Sequence, residues 1–319
     1  MKNKKSVMAF SAILILLFHL WIPMFPGNVA EDFVRQIAYV GVDIFFFLSA
    51  YALSGRKVEN YLSFVANRFL AVYVKFIIFA VVACLYTGWA WTKLVKVLVM
   101  GDLLEKGGGA FLWFLPAIML FYLLFPLLQR CEQKHRYLTL AAVVAIWAAG
   151  AAIGTYFDYT PMFIYWNRLP IFLLGFYLGT SKGFKKLLEN NTYKLLCGLI
   201  CVGVGGTLQY FFGYQPRLQV PFIDMFYIVA IPLSLGLVLL VSFIPEKSVV
   251  KWIGSSTLEM YAIQMIFGYN FANYVLRSTR NMKLTNLASI LFVIISAILV
   301  HYVYQWAQKG VGRLVKKKS

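Results

Sequence analysis

Acidic residues are scarce in this chain. Only 12 of its 319 residues are Asp or Glu, against 30 Lys or Arg, which leaves a formal charge of +18 at pH 7. Charged residues make up 13% of the whole, about half the share of a soluble globular protein, and this argues against a soluble cytosolic enzyme. Cysteine is equally sparse: the four, at 84, 131, 197 and 201, form no Cys-x-x-Cys pair, and three lie in apolar runs. Neither a disulfide framework nor a zinc site is signalled, and no metal is expected. Nor is there a phosphate loop, because the run Gly107, Gly108, Gly109 is too short for one and reads as a hinge or turn. The basic excess lacks a soluble face on which cations alternate with stacking aromatics, so nucleic acid is not an expected partner.

What the chain has in abundance is apolar sequence. Hydrophobic residues make up 61% of it, and the mean hydropathy is +0.74. Crossing about 30 Å of hydrocarbon takes roughly 20 residues. Runs of that order fall at 6–24, 34–54, 64–87, 111–129, 137–154, 162–180, 193–211, 220–243, 253–275 and 284–306. They predict an all-α polytopic membrane protein with about ten transmembrane helices. The first run follows Lys2, Lys4 and Lys5 as in a signal peptide, but no small-residue cleavage site follows it, and it reads as the first membrane helix. With the N-terminus inside, and residues near a span end counted with that side, 20 of the 30 basic residues fall on the cytoplasmic side, 9 fall outside and Lys75 lies mid-span. Basic residues are retained on the cytoplasmic side, so both termini are expected there, in the cell membrane. The connections are short, and residues 1–319 read as one membrane domain. The longest outside connection, about 88–110, sets lysines among Trp91, Leu94, Val95, Leu98 and Val99, a pattern that suits an interfacial amphipathic helix.

Ionisable residues inside a span are costly, so each is a candidate for function. Counting from the outer ends of the first two spans puts His19 and Asp43 at similar depth. A carboxylate beside an imidazole fixes its tautomer and raises its basicity, which suits activation of a hydroxyl for acyl transfer. The plainer reading is that the two satisfy buried backbone or one another. Glu259 falls in the ninth span with Tyr261 and Gln264 beyond it, and Arg168 opens the sixth. Arg168 suits either snorkelling to the interface or a substrate or ion-pair role. Lys75 reads as snorkelling or as a helix-packing hydrogen bond, Asp224 as a helix-start charge, and His135 and His301 as solvated or structural.

Several segments together are similar to the bacterial acyltransferase-3 family of integral membrane O-acyltransferases. Gly41-Val42-Asp43-Ile44-Phe45-Phe46-Phe47-Leu48-Ser49-Ala50 resembles its Gly-Val-Asp-x-Phe-Phe-x-Leu-Ser-Gly signature, with Ala50 where Gly is usual. Trp113-Phe114-Leu115-Pro116 with Tyr122 resembles its Trp-Phe-Leu segment, and Arg168-Leu169-Pro170-Ile171-Phe172-Leu173-Leu174-Gly175 its Arg-x-Pro-x-Phe-x-x-Gly. The family's Arg, ten intervening residues and His in the first span is matched at His19 but carries Met8 at the Arg position. In the ninth span, Gly254 to Gln264 resembles Gly-x-x-Ser-x-x-x-Tyr-Leu-x-His, with Thr257 for Ser, Tyr261 kept and Gln264 for His.

The resemblance implies a membrane enzyme that moves an acyl group, acetyl being the expected one, from acyl-CoA to a hydroxyl of a sugar, polysaccharide or other envelope acceptor. It implies His19 as general base or transient acyl carrier, with Asp43 orienting and charge-stabilising it. Arg68 and Lys5 are the expected contacts for the CoA phosphates, and Arg168, Trp113 and Tyr261 for the acceptor or acyl tunnel. Acyl-CoA enters as a substrate, no tightly bound cofactor is expected, and the bilayer is the remaining partner. Two other readings stay open. A polar seam between helices also suits a transporter or flippase of a glycan or lipid-linked intermediate, and Met8 with Gln264 suits a non-catalytic family member.

Overall fold

A computed structural model describes residues 2–25, 27–104, 111–157, 164–214 and 228–316, among which every regular element is helical. The Gly107 to Gly109 turn, Asp224, and residues 162–163 and 220–227 of the expected spans lie outside the described residues. In chain order the helices begin with α1 (Lys4–Leu20), α2 (Val29–Ile37), α3 (Val40–Ser54), α4 (Tyr61–Thr87) and α5 (Trp91–Leu98). There follow α6 (Phe114–Tyr156), α7 (Leu169–Thr180), α8 (Lys182–Glu189), α9 (Asn191–Gln209) and α10 (Ala230–Val241). The last four are α11 (Ser248–Ser255), α12 (Thr257–Ile263), α13 (Tyr269–Thr279) and α14 (Met282–Lys316). They divide into two units, one of Met1–Phe45, Leu188–Tyr214 and Leu233–Ser319, the other of Phe46–Leu187 and Gln215–Pro232.

The first unit is built around α1. Its sequence has no Gly or Pro, and Ala12, Leu16 and Leu20, spaced four apart, form one stripe. That stripe packs with Met260 and Ile263 of α12 and Val293 and Ala297 of α14 into a buried core. The helix ends where Trp21 turns extended and Ile22 precedes Pro23. Asn286 then holds the chain from both sides, accepting from the Ile22 amide at 2.9 Å and donating to its carbonyl at 2.8 Å. Glu31, in the first turn of α2, accepts from the Trp21 indole at 2.7 Å and from the Met24 and Phe25 amides at 2.7 and 2.9 Å.

Small residues let these helices approach backbone to backbone, which is how helices associate in lipid. A Cβ at Gly41 of α3 would lie 2.5 Å from the Ser11 carbonyl oxygen and 2.9 Å from Ile15. One at Gly254 of α11 would collide with the Lys5 carbonyl. Along α9, Gly198 and Gly205 face Leu240 and Leu233 of α10, while Gly236 of α10 faces Val202 in return.

The second unit has an aromatic core. Phe46 meets Phe121 at 5.3 Å between ring centroids, Phe121 meets Phe172 at 5.0 Å, and Phe125 meets Phe176 edge-on at 5.5 Å. Gly175 and Gly179 of α7 close onto Phe47 and Ser54 of α3. Helix α6 is two arms, broken at His135, where φ is −144° and ψ is 70°.

Five helices among the described residues are long and apolar enough to cross a membrane: Val29–Ser54 taken together, Tyr61–Thr87, Phe114–Gly154, Asn191–Phe212 and Met282–Gly310. The other expected spans are shorter or broken. α1 has 17 residues, α7 and α10 have 12 each, and two spans merge in Phe114–Gly154. The ninth is cut at Ser256 and again by a π-helical turn, Gln264–Gly268. The 88–110 segment does form a helix, α5, with Leu94 and Val97 buried and Trp91 and Val95 exposed.

Gly41→Val is expected to force α3 off α1 and lower stability by about 1–3 kcal/mol, read from thermal unfolding in detergent; Gly203→Val, the same exchange inside a helix where the space beside the glycine is open, is the control and is expected not to lower it.

Candidate functional site

In the first unit, His19 lies one residue from the end of α1, exposed, with its ring edge-on to Phe18 at 5.0 Å. Asp43 lies in the first turn of α3 and is fully buried. The described hydrogen bonds and ion pairs do not join these two side chains. Residue counting set them level by assuming a continuous second span from 34. Residues 29–37 instead form the separate helix α2, so α3 begins only at Val40, and Gly41 meets α1 at the Ser11 to Ile15 turn, a full turn before His19.

A second polar group was not foreseen as a group. Glu259 of α12 and His301 of α14 are both buried, and Glu259 Oε1 lies 3.1 Å from His301 Nδ1. The opposite ring nitrogen, Nε2, lies 2.8 Å from the Gln305 amide nitrogen. With an N–H donor facing Nε2, that nitrogen is the acceptor and Nδ1 carries the proton toward the carboxylate. His301 is therefore held on both sides and has no nitrogen to offer a substrate. Both residues lie toward the inner ends of their spans in the sequence, a coincidence of depth that was the only available signal.

Lys5 sits at the same end of this unit. Its ammonium donates to the Gly254 carbonyl at 3.2 Å, its amide donates to Glu246 at 2.6 Å, and Glu246 and Glu259 both attract its charge. Lys5 thereby ties α1 to α11. Tyr261 and Gln264 are buried, at 6% and 2% exposure. Neither polar atom of the Gln264 amide has a hydrogen-bond partner among the described residues. Gln264 opens the π-helical turn, a backbone form that clusters at functional sites. This turn lies against the end of α1, since a Cβ at Gly268 would sit 2.9 Å from Leu20 and 3.5 Å from the Gln264 Cβ.

In the second unit, Arg168 precedes α7 and is 2% exposed. Burial removes the snorkelling reading for it. Its guanidinium stands 5.7 Å from the Trp113 ring centroid, a cation–π distance, and Trp113 stacks on Phe46. The motif residues Arg168, Trp113 and Phe46 thus meet in space. Beside Arg168, Asn167 is 1% exposed with no partner for either amide atom among the described residues. A second meeting joins the Tyr122 and Ser49 side chains by a hydrogen bond, with the charge of Arg68 acting on Tyr122.

The model of the family described as an acyltransferase domain matches residues 9–306. The chain belongs to the acyltransferase-3 family. No curated protein and no solved structure matches it. Family membership makes the chain an acyltransferase-type membrane protein, and the clustering of Arg168, Trp113 and Phe46 shows its motifs assembled rather than scattered.

Truncating Glu259 leaves a buried imidazole N–H unsatisfied. Glu259→Ala is expected to cost about 1–3 kcal/mol in thermal unfolding, with His301→Ala costing less in that background than alone; equal costs in both backgrounds would show the pair uncoupled.

Proposed function

We propose that the chain is a ten-span membrane O-acyltransferase that takes an acyl group from acyl-CoA and esterifies a hydroxyl of a sugar, polysaccharide or other envelope acceptor, with both termini cytoplasmic. The observation that carries this is the family match over residues 9–306, read with the buried amide of Gln264 at the π-turn beside the end of α1. A buried amide without a partner costs about 1–3 kcal/mol. A substrate hydroxyl or carbonyl supplies the missing partner and offsets that cost.

The reaction asks for one base. Of the three histidines, His301 is closed on both nitrogens and His135 stands at the break in α6. His19 has an exposed ring at the end of α1. In the proposed step a ring nitrogen of His19 takes the proton of the acceptor hydroxyl, and the oxygen attacks the thioester carbonyl. The C–S bond then breaks and CoA leaves as the thiol, taking the proton back from the imidazolium. Asp43 acts as a fixed negative charge in the first turn of α3, where the helix dipole favours it and where it favours the imidazolium. Arg68 is the first candidate to offer charge to the CoA phosphates; Lys5, already bound to the Gly254 carbonyl and drawn by two carboxylates, is the weaker alternative for that role. Arg168 over Trp113 in the second unit and Tyr261 in the first are separate candidates for contact with the acceptor or acyl group.

His19→Ala and Asp43→Asn are each expected to lower acyl transfer about 10²–10⁴-fold at unchanged membrane expression, measured with labelled acetyl-CoA on envelope fractions; full activity in both would sink the assignment. Gln264→Leu separates binding from folding. Replacing an unsatisfied buried amide by an apolar group is expected to leave the unfolding temperature equal or higher while transfer falls about tenfold, and retained transfer would remove Gln264 from the site.

A further inference from the structure

The two arms of α6 part at His135 and leave an open cavity of about 830 Å³ within the second unit. Its floor is apolar, with Leu128, Val143 and Phe172 among the lining residues. Its charged lining residues, Arg130 and Lys134, stand with His135 at the break in the helix. The neighbouring charges are already matched: Arg136 lies 3.6 Å from Glu132 and its guanidinium 5.4 Å from the Tyr177 ring. Arg130 and Lys134 make no hydrogen bond or ion pair among the described residues. The exposed side chains around the mouth, Leu127 at 50%, Leu138 at 69% and Ile146 at 58%, are of the kind that face acyl chains.

A long apolar groove with cations at the helix break is complementary to an amphiphile whose head is anionic and whose tails are hydrocarbon. Basic pockets between membrane helices on the cytoplasmic side recognise acidic lipid headgroups, and the charge bias of the sequence puts residues 130–136 on that side. A second copy of this chain fits poorly, since two such faces would bring like charges together. We infer that the groove between the arms of α6 is a binding site for an anionic glycerophospholipid, its phosphate held by Arg130 and Lys134 and its acyl chains lying along Leu124, Val143 and Phe172. The lipid then fills the gap that the break at His135 opens and fixes the angle between the arms.

The test uses the purified full chain in neutral detergent, titrated with phosphatidylglycerol or phosphatidylcholine of identical chains and weighed by native mass spectrometry. Phosphatidylglycerol is expected to be retained more tightly, by about fivefold for each cation engaged. Arg130→Gln with Lys134→Gln is expected to bring its retention down to that of phosphatidylcholine at an unchanged unfolding temperature, and Ala142→Trp, which fills the groove, to weaken both lipids. Equal retention of the two lipids by the native chain overturns the inference, as does a preference that survives the double substitution. Palmitoyl-CoA displacing phosphatidylglycerol from the groove, or a dimer that excludes lipid there, also overturns it. Acyl transfer is not the readout, so failure here leaves the proposed reaction standing.

Discussion

The close approach of α1 to its neighbours is the constraint on which the first unit depends. Lipid tails are as apolar as leucine, so helices gain little from hiding apolar surface from one another and must gain from contact itself. Gly41 against Ser11 and Ile15, and Gly254 against the Lys5 carbonyl, bring backbones within reach on two sides of α1. Its remaining stripe, Ala12, Leu16 and Leu20, takes the core packing with α12 and α14. Its last turn, which carries His19, is held in addition by Leu20 in that core and against Gly268, and by Asn286 on Ile22 just beyond it.

The few polar groups inside the spans sort into those the protein satisfies and those it leaves open. Glu259, His301 and Gln305 form a closed chain, each held by the next. Lys5 is bound to a carbonyl and drawn by two carboxylates. Gln264 and Asn167 are buried with open amides among the described residues. A closed group stabilises the packing it spans, whereas an open one leaves hydrogen-bonding capacity for a ligand. The proposed acceptor contact rests on Gln264, and the choice of base falls on His19 because both ring nitrogens of His301 are engaged.

Much of this was legible in the sequence. Apolar runs and scarce charge gave an all-helical membrane protein, and the ordered motifs around Asp43, Trp113, Arg168 and Tyr261 gave the family. The meeting of Arg168 with Trp113 follows from two motifs being read as one site. The relation of His19 to Asp43 was not legible. Hydropathy does not distinguish the amphipathic α2 from the outer half of a continuous span, and that distinction sets where α3 begins. The Glu259 to His301 pair was missed for a related reason: the two are 42 residues apart, and nothing in a period reveals which faces of two helices meet.

The sequence by itself determined that the segments are helical and apolar, because a chain in lipid must satisfy its backbone groups within each segment, but not where the helices break. It also determined which residue types are available for chemistry, since so few acids and histidines are present. Only the tertiary structure decided which of these residues are occupied and which are open. That depends on register and facing, which small residues such as Gly41, Gly254 and Gly268 fix through contacts between distant parts of the chain.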